Sequence, residues 1–252
     1  MEIRKNDFLF IPGTTDEIPP DEYLKTETFV NMAKALAQTT DRFVYIIDYA
    51  KRNFLYESIN MAYLLGEPAN NVDFFDYKMY FNHIPANEQH KFIEINMAAS
   101  AMFAHMPIKE RTMHTITYDF HLMMKKRQRL VNHHLTPLAL TESGRMWLAL
   151  CTIGLSAMQT AGHAIIKKAG SNIYHEYSLD RHEWIEKEMG RLRDIERSIL
   201  ILSAQGFTMN DIADKLCKSV DTIKKYRKGI FKKFDVKNIT AALTYATNYK
   251  ML

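Results

Sequence analysis

The sequence predicts an α+β protein: an antiparallel-sheet domain with flanking helices, followed by an all-α domain of four short helices. Short aromatic and β-branched runs separated by turn residues fill the first two thirds of the chain. From Asp194 onward, apolar residues instead recur at helical spacing. Charge divides at the same place, because residues 190–252 hold 13 Lys and Arg against 6 Asp and Glu, whereas residues 1–189 hold 20 against 23. A basic module on an acidic body is typical of a polyanion-binding domain carried by another domain.

Length and composition limit the possible classes of protein. A chain of 252 residues has room for two domains, and its 47% apolar and 25% charged residues are ordinary for a globular protein. It has no apolar run of 18 residues and no apolar signal-peptide core at its start, so we expect no membrane association. Cys151 and Cys217 lie far apart in sequence, which gives no disulfide framework or CxxC motif and favours a reducing cytoplasm.

The first predicted elements are a helix and a hairpin. Residues 21–38 form a helical stretch whose apolar side contains Leu24, Thr28, Phe29, Met32, Ala33 and Leu36. Two aromatic and β-branched strands follow at 43–47 and 53–57, joined by a turn. We therefore expect the sheet to begin with an antiparallel pair.

Helices and then further strands complete the first domain. A short helical piece is predicted at 60–65, and helices interrupted at Pro85 are predicted over 73–103. Three consecutive strands follow at 115–122, 130–138 and 146–153, with a charged turn at 125–128 and one more hairpin at 165–177. Two strands, helices and three strands make an α+β antiparallel sheet. We place this domain at 1–178 with its core at about 40–157, a linker at 179–191, and the helical domain at 192–252.

The helical domain carries clear boundary signals. Gly206 ends a first helix whose apolar face contains Ile195, Ile199, Leu200 and Leu202. Thr208 is the N-cap of a second helix, with Asp211 in the reciprocal position of a capping box. Ser219 is the N-cap of a third helix that runs through Phe234, and a fourth helix spans about 239–249.

The third helix combines an apolar face with a cationic face. The residues expected to face the core recur at three- and four-residue spacing: Ile223, Tyr226 or Arg227, Ile230 and Phe234. The residues that then point outward are Lys224, Lys225, Lys228 and Lys232. Two capped helices in a tight connection, the second one cationic, meet the requirements of a helix-turn-helix whose second helix enters the major groove of DNA.

Residues 192–246 resemble the LuxR-type (FixJ/NarL-type) helix-turn-helix of bacterial transcription regulators. The matching residues are Leu192, Glu196, Ile199, Leu200, Leu202, Gly206, Phe207, Thr208, Ile212, Ala213, Leu216, Ser219, Thr222, Ile223, Lys224, Tyr226, Arg227, Ile230, Phe231, Lys233, Phe234, Val236, Asn238 and Ala242. The pattern covers about a fifth of the chain and is specific.

The resemblance implies roles for individual residues. It places Lys224, Lys225 and Lys228 at base edges and at the groove wall, and Ser219, Thr222 and Lys233 at phosphates. Arg227 and Lys232 complete the predicted DNA-binding set. The fourth helix is the family's dimerisation element, which implies dimer contacts by Leu243, Ala246 and Tyr249.

One position departs from the family pattern, at the start of the first helix. Arg193 replaces the usual N-cap Thr, and an arginine side chain cannot accept the free N–H groups there. Either Asp194 takes over the cap, or the helix continues from about Asp180 upstream. Helical spacing of apolar residues across the boundary favours a continuous helix, and Gly190 favours a flexible tether.

The strand and helix order of residues 40–157 resembles a PAS sensor domain. The stretch from Asn60 to Gly66 is similar to the PAS segment that follows the second strand. The resemblance implies a sensing or dimerising role and a small-molecule signal whose identity the fold order does not give.

Other chemistries find little support in the sequence. His121, His133 and His134 suggest a haem or metal sensor, but they lack further ligands at metal spacing and are expected to be solvated on the sheet surface. Asp48 follows an apolar strand as a phosphorylated aspartate does, yet the acidic pair and β/α order of a receiver domain are missing. Because no nucleophile–base or phosphate-loop motif is present, we expect no enzyme and no cofactor.

The sequence thus predicts a cytoplasmic bacterial transcription regulator that binds double-stranded DNA as a homodimer by inserting the 220–234 helix into the major groove. RNA polymerase is a candidate partner. Two alternatives stay open: a sigma-factor-like protein with a region-4-type helix-turn-helix, and a signalling adaptor whose terminal helices bind protein. The signal, the operator and the sign of regulation are not readable from the sequence.

Overall fold

The structure is a computed structural model that describes residues 16–58, 78–124 and 127–252. The chain divides into two compact units. The first comprises the chain up to residue 155 and residues 160–187, and the second comprises residues 156–159 and 188–252. The helical piece predicted at 60–65, the PAS-like segment around it and the tip of the 125–128 turn lie outside the described residues.

Eight strands form one antiparallel sheet in the described part of the first unit. They are β1 Phe43–Asp48, β2 Asn53–Glu57, β3 His114–Met124, β4 Arg127–Leu140, β5 Met146–Leu155, β6 Ala164–Lys168, β7 Ile173–Ser178 and β8 Glu183–Glu188. Their order across the sheet is β2-β1-β5-β4-β3-β6-β7-β8. The first five strands thus lie in the order 2-1-5-4-3, and the last three extend the sheet beyond β3.

From residue 16 to the first strand the chain forms the helices α1 Pro20–Leu24 and α2 Thr26–Thr39. The predicted helix is confirmed. Of its predicted apolar face, Ala33 is buried and Phe29 packs against the core, but the other large apolar side chains are not buried. Small side chains, Ala33 and Ala37, pack against a cluster that includes Val44, Ile46 and Leu148. The larger side chains are exposed, with fractions of 80% for Leu24, 65% for Met32 and 38% for Leu36. Helical periodicity predicts which residues share one side of the helix. It does not predict how closely the helix approaches the sheet, and a close approach leaves room only for small side chains.

The described residues between β2 and β3 contain the helices α3 Lys78–His83, α4 Ala86–His105 and α5 Ile108–Arg111. The predicted interruption at Pro85 is confirmed, since Pro85 is the N-cap residue of α4. The helix α4 buries Phe92, Ile95, Ala99 and Phe103 on the sheet. The ring of Phe92 meets Tyr118 and Phe120 edge-on, at centroid distances of 5.5 and 5.2 Å.

His133 corrects the prediction that the histidines are solvated. It lies on β4 opposite Tyr118 and Ile153 and is fully buried. Its Nε2 atom is 2.6 Å from the Tyr45 hydroxyl, and burial lowers its pKa to about 3. His121 instead pairs with Glu88, with 2.6 Å between Nδ1 and the carboxylate. Within the described residues, no group of three or more His, Cys, Asp or Glu is placed to hold a metal ion.

The strand β8 rules out the continuous helix considered for the domain boundary. Residues 183–188 are extended, in a segment that the sequence analysis assigned to the linker. The indole of Trp184 lies 5.0 Å from the ring of Tyr177, and its N–H donates to the Ala98 carbonyl at 3.2 Å. These contacts bring the segment into the sheet, so its helical spacing was coincidental.

The second unit contains four helices: α6 Asp194–Ala204, α7 Met209–Lys215, α8 Val220–Phe234 and α9 Ile239–Asn248. Their common core contains Ile199, Leu200, Ile212, Ala213, Ile223, Ile230, Phe234, Ala242 and Ala246, each at most 3% exposed. The predicted all-α domain is confirmed. No helix in the described ranges has the length and apolar character needed to cross a membrane.

Candidate nucleic-acid interface

The start of α7 is fixed by the predicted capping box. The hydroxyl of Thr208 accepts the N–H of Asp211 at 3.3 Å, and the Asp211 carboxylate accepts the N–H of Thr208 at 2.9 Å. Gly206, with φ of +86°, ends α6 as predicted, and the N–H of Phe207 reaches the carbonyl of Leu202 at 3.1 Å. These local bonds determine where α6 stops and α7 begins.

The turn between α7 and α8 uses a left-handed residue that the sequence did not reveal. Cys217 has φ of +51°, a conformation in which glycine is the usual residue. The N–H of Lys218 then donates to the Ala213 carbonyl at 2.9 Å and closes the end of α7. Ser219 is the N-cap of α8, as predicted, and its hydroxyl accepts the N–H of Thr222 at 3.2 Å.

The helix α8 separates its apolar and cationic residues as the spacing predicts. Ile223 and Ile230 are fully buried and Phe234 is 3% exposed. The exposed residues include Lys224, Lys225, Lys228, Gly229 and Lys232. Lys224 also pairs with Asp221 at 3.1 Å, and both side chains are in solvent. Arg227 is half-buried at the edge of this face, with its guanidinium carbon 5.8 Å from the centre of the Phe231 ring.

Lys233, a predicted phosphate contact, has partners within its own domain. Its ammonium lies 2.7 Å from the Glu196 carboxylate and 3.1 Å from the Arg191 carbonyl, and its side chain is only 28% exposed. A phosphate contact would require breaking a pair with a carboxylate that is 3% exposed. In this structure Lys233 joins α8 to the start of α6, and its phosphate contact stays a prediction. Nothing in the local sequence pattern indicated this pair, because its partners are 37 residues apart.

Arg193 resolves the missing cap in a way that neither sequence alternative foresaw. It occupies the N-cap position of α6, and its backbone N–H donates to Glu196 at 2.9 Å. Its guanidinium bonds the other carboxylate oxygen at 2.8 Å and lies 5.0 Å from the centre of the Tyr226 ring. Burial alone would raise the pKa of Glu196, but hydrogen bonds from Arg193 and Lys233 outweigh it and hold the pKa at about 2.

Two of the three predicted dimerisation residues are buried within their own domain. Ala246 is fully buried in the core of its own domain. Tyr249 is 6% exposed, and the centre of its ring lies 4.4 Å from that of Tyr245. Leu243 is half-buried and packs against the same core. The exposed residues of α9 are Thr240 and Thr247. A ten-residue helix in a small domain needs its apolar stripe for its own core, which leaves a polar outer face.

The paired capped helices with a cationic outer face define a helix-turn-helix domain of the DNA-binding class. Residues 192–246 match the family described as bacterial regulatory proteins, luxR family. The C-terminal domain is therefore a LuxR-family helix-turn-helix domain of a transcription regulator. A comparison with curated proteins gave no match.

Solved structures offer more distant similarities. The phage VqmA–DPO complex is 16% identical over 90% of this chain and 91% of that chain, with a TM-score of 0.29. A Vibrio cholerae VqmA dimer in the absence of target DNA is 14% identical over 88% of each chain, also with a TM-score of 0.29. An RNA-binding light-oxygen-voltage receptor is 14% identical over 81% of this chain and 47% of that chain, with a TM-score of 0.33.

Proposed function

We propose that the protein regulates bacterial transcription by inserting α8 into the major groove of double-stranded DNA, and that its PAS-like N-terminal domain regulates this binding. The observation that carries the proposal is the cationic face of α8. Lys224, Lys225, Lys228 and Lys232 are exposed on a helix whose opposite side is fully buried in the domain. No chain carboxylate except the exposed Asp221 is paired with these lysines in the described residues.

The positions of residues along α8 indicate which of them would contact phosphates and which would contact bases. Ser219 and Thr222 lie at its N-terminus, where the helix dipole and free N–H groups favour phosphate oxygens. Lys225, Lys228 and Lys232 follow one another at three- and four-residue spacing, so they share one side of the helix. We assign the N-terminal hydroxyls and Arg227 to the DNA backbone, and the lysines to base edges and the groove wall.

The proposal includes a homodimer that reads two half-sites about 10 base pairs apart. The outer face of α9, with the exposed Thr240 and Thr247, is the surface that we assign to this contact. A regulator of this kind acts in the cytoplasm on promoter DNA, where RNA polymerase is its candidate partner, and it needs no enzymatic activity. A sheet in the first unit disfavours the sigma-factor alternative, which requires a helical polymerase-binding region upstream.

The test begins with selection of bound sequences from random DNA by the full-length protein. Affinity for a selected sequence is then measured for the parent, for Lys225→Glu and Lys228→Glu, and for Lys250→Glu as a matched control. Lys250 is exposed in the same domain but lies outside α8. Its substitution therefore changes the charge of the domain by the same amount without changing α8. We expect at least about a tenfold loss from either α8 variant, because a good base contact contributes ~1–3 kcal/mol.

The control is expected to bind within about twofold of the parent, because screening weakens a distant charge. Equal losses of affinity in all three variants would show that the net charge of the domain, and not the position of the lysines on α8, determines binding. Parent-like binding by both α8 variants would refute the placement of α8 in the groove. Absence of any salt-dependent DNA binding would favour the protein-binding adaptor instead.

A further inference from the structure

A cavity of about 70 Å³ lies in the first unit, between the C-terminal half of α4 and the sheet. On the helix side its wall contains Ala99, Ser100 and Ala104, and on the sheet side it contains Ile116 and Leu135. Small side chains on three neighbouring positions of α4 keep the helix from filling this space. The cavity opens to solvent beside the exposed Ala104, and its inner part lies between a helix and a sheet whose side chains would otherwise pack closely.

The volume of the cavity limits the size of a ligand. An engineered cavity of about 150 Å³ accepts benzene, which has six carbon atoms. A cavity of about 70 Å³ therefore has room for roughly three or four carbon atoms without rearrangement. Apolar lining atoms of Ile116, Leu135 and Ala99 favour an alkyl group over a polar one.

A half-buried cation lies at the edge of the cavity. The guanidinium of Arg111 donates from Nε to the Met106 carbonyl at 3.0 Å, from Nη2 to the Ala104 carbonyl at 2.7 Å, and from Nη1 to the Gly144 carbonyl. Among the described residues no carboxylate is paired with it. Three bonds use three of its five donors, which leaves one N–H on each terminal nitrogen.

This arrangement selects the charge and shape of a ligand. Carbonyl oxygens orient the guanidinium but do not neutralise its charge, so an anion gains more at this position than a neutral group. Two terminal N–H donors on a planar guanidinium match the two oxygens of a carboxylate. The other guanidinium that lines the cavity, on Arg145, is 3.1 Å from Asp16 and is already paired.

We propose that this cavity binds a short-chain monocarboxylate, with its carboxylate on Arg111 and a tail of about three carbons between α4 and the sheet. The proposal names a ligand class for the regulatory domain. That the ligand would regulate DNA binding rests on the proposed function, whereas binding of the ligand to the cavity does not.

The experiment titrates the full-length protein with butyrate and follows amide and side-chain signals by NMR. Butanol and butylamine, which have the same tail, are the uncharged and cationic comparisons. We expect saturable binding of butyrate, at least about tenfold weaker binding of butanol, and none of butylamine, because a hydrogen bond to a charged group contributes ~1.5–3 kcal/mol. Butanol binding as tightly as butyrate, or no saturable binding of butyrate, would overturn the proposal.

Cavity-filling variants locate the site. Ala99→Leu fills the space from α4, and Ser100→Val fills it more gently if the first variant does not fold. Ala101→Leu adds the same atoms on the exposed side of α4 and is the matched control. Butyrate binding is expected to be lost in a folded filling variant and kept in the control; undiminished binding in a folded filling variant would place the ligand elsewhere. Measurement of the affinity of the parent protein for selected DNA separates the two proposals. If the parent binds that DNA but shows no saturable butyrate binding, this proposal alone is refuted.

Discussion

Lys233 and Glu196 form an ion pair with 2.7 Å between ammonium and carboxylate, and they join the end of α8 to the first turn of α6. Glu196 also accepts the backbone N–H of Arg193, so one buried carboxylate serves both as the cap of α6 and as the anchor of α8. The orientation of the candidate recognition helix therefore depends on a residue outside it. This explains how the domain tolerates an arginine where a capping hydroxyl is expected.

The first prediction concerns acid stability. The pKa of Glu196 is about 2 in the folded protein and near 4.5 when it is unfolded, so its contribution is complete above about pH 4.5 and is lost as the pH falls towards 2. Over this window the contribution is about 3 kcal/mol. Glu196→Gln should flatten the pH dependence of amide hydrogen exchange in α6 and α8. An unchanged acid transition in this variant would show that the pair does not govern stability.

Lys233→Met should destabilise the C-terminal domain more than Lys232→Met. The first leaves a buried carboxylate with one cation fewer, at an expected cost of about 3 kcal/mol, and the second removes an exposed charge at a cost of about 0.5 kcal/mol or less. Denaturant unfolding of the full chain, followed by signals of α8, measures both. If Lys233 binds phosphate instead, the two variants will unfold alike and Lys233→Met will reduce the salt slope of DNA binding by about 1.

Gly229 is expected to trade stability for DNA contact. It is exposed in the interior of α8, and a Cβ atom added there has no neighbour within 4 Å. Gly229→Ala should therefore stabilise the helix by about 1 kcal/mol. Because Gly229 lies one turn from Lys225 and Lys232, the added methyl should hold this face away from the groove and weaken DNA binding. Higher thermal stability with unchanged DNA affinity would contradict that second effect.

Substitution by Asp should have different effects at Ala246 and Thr247, because these neighbours lie on the buried and the exposed face of α9. Ala246→Asp places a charge in the core and should cost about 3 kcal/mol or more, with equal loss of binding to one and two half-sites. Thr247→Asp lies on the exposed side and should leave the fold intact, while it weakens binding to two half-sites selectively. Affinity for the two DNA lengths, together with circular dichroism, distinguishes these effects. Equal behaviour of the two DNAs with Thr247→Asp would exclude this side of α9 from the dimer.

His133 should remain neutral throughout the physiological pH range. Burial lowers its pKa to about 3 from an unfolded value near 6.5, so the folded chain binds fewer protons than the unfolded chain between these values. Its contribution is therefore complete above about pH 6.5 and decreases as the pH falls towards 3. Ring-proton NMR should show no titration of His133 above pH 5. Titration near 6.5, as for an exposed histidine, would mean that the ring reaches solvent.

Local patterns predicted the parts of this protein that depend on neighbours in sequence. The caps at Thr208 and Ser219, the end of α6 at Gly206 and the opposition of lysines to Ile223 and Ile230 each involve residues within a few positions of one another. The α+β class and the positions of most strands follow from alternation and turn residues in the same way. These features depend on backbone hydrogen bonding and side-chain periodicity, which the sequence determines by itself.

Only the tertiary structure decided which side chains are buried and which charges are paired. Ala33 and Ala37 are buried on the sheet while Met32 is exposed, because the closeness of α2 to β1 favours small side chains. Lys233 is held by Glu196, and Ala246 lies in the core, because distant helices meet there. Such contacts join residues tens of positions apart, so their free energies depend on packing and desolvation in the assembled domain and leave no mark on local sequence periodicity.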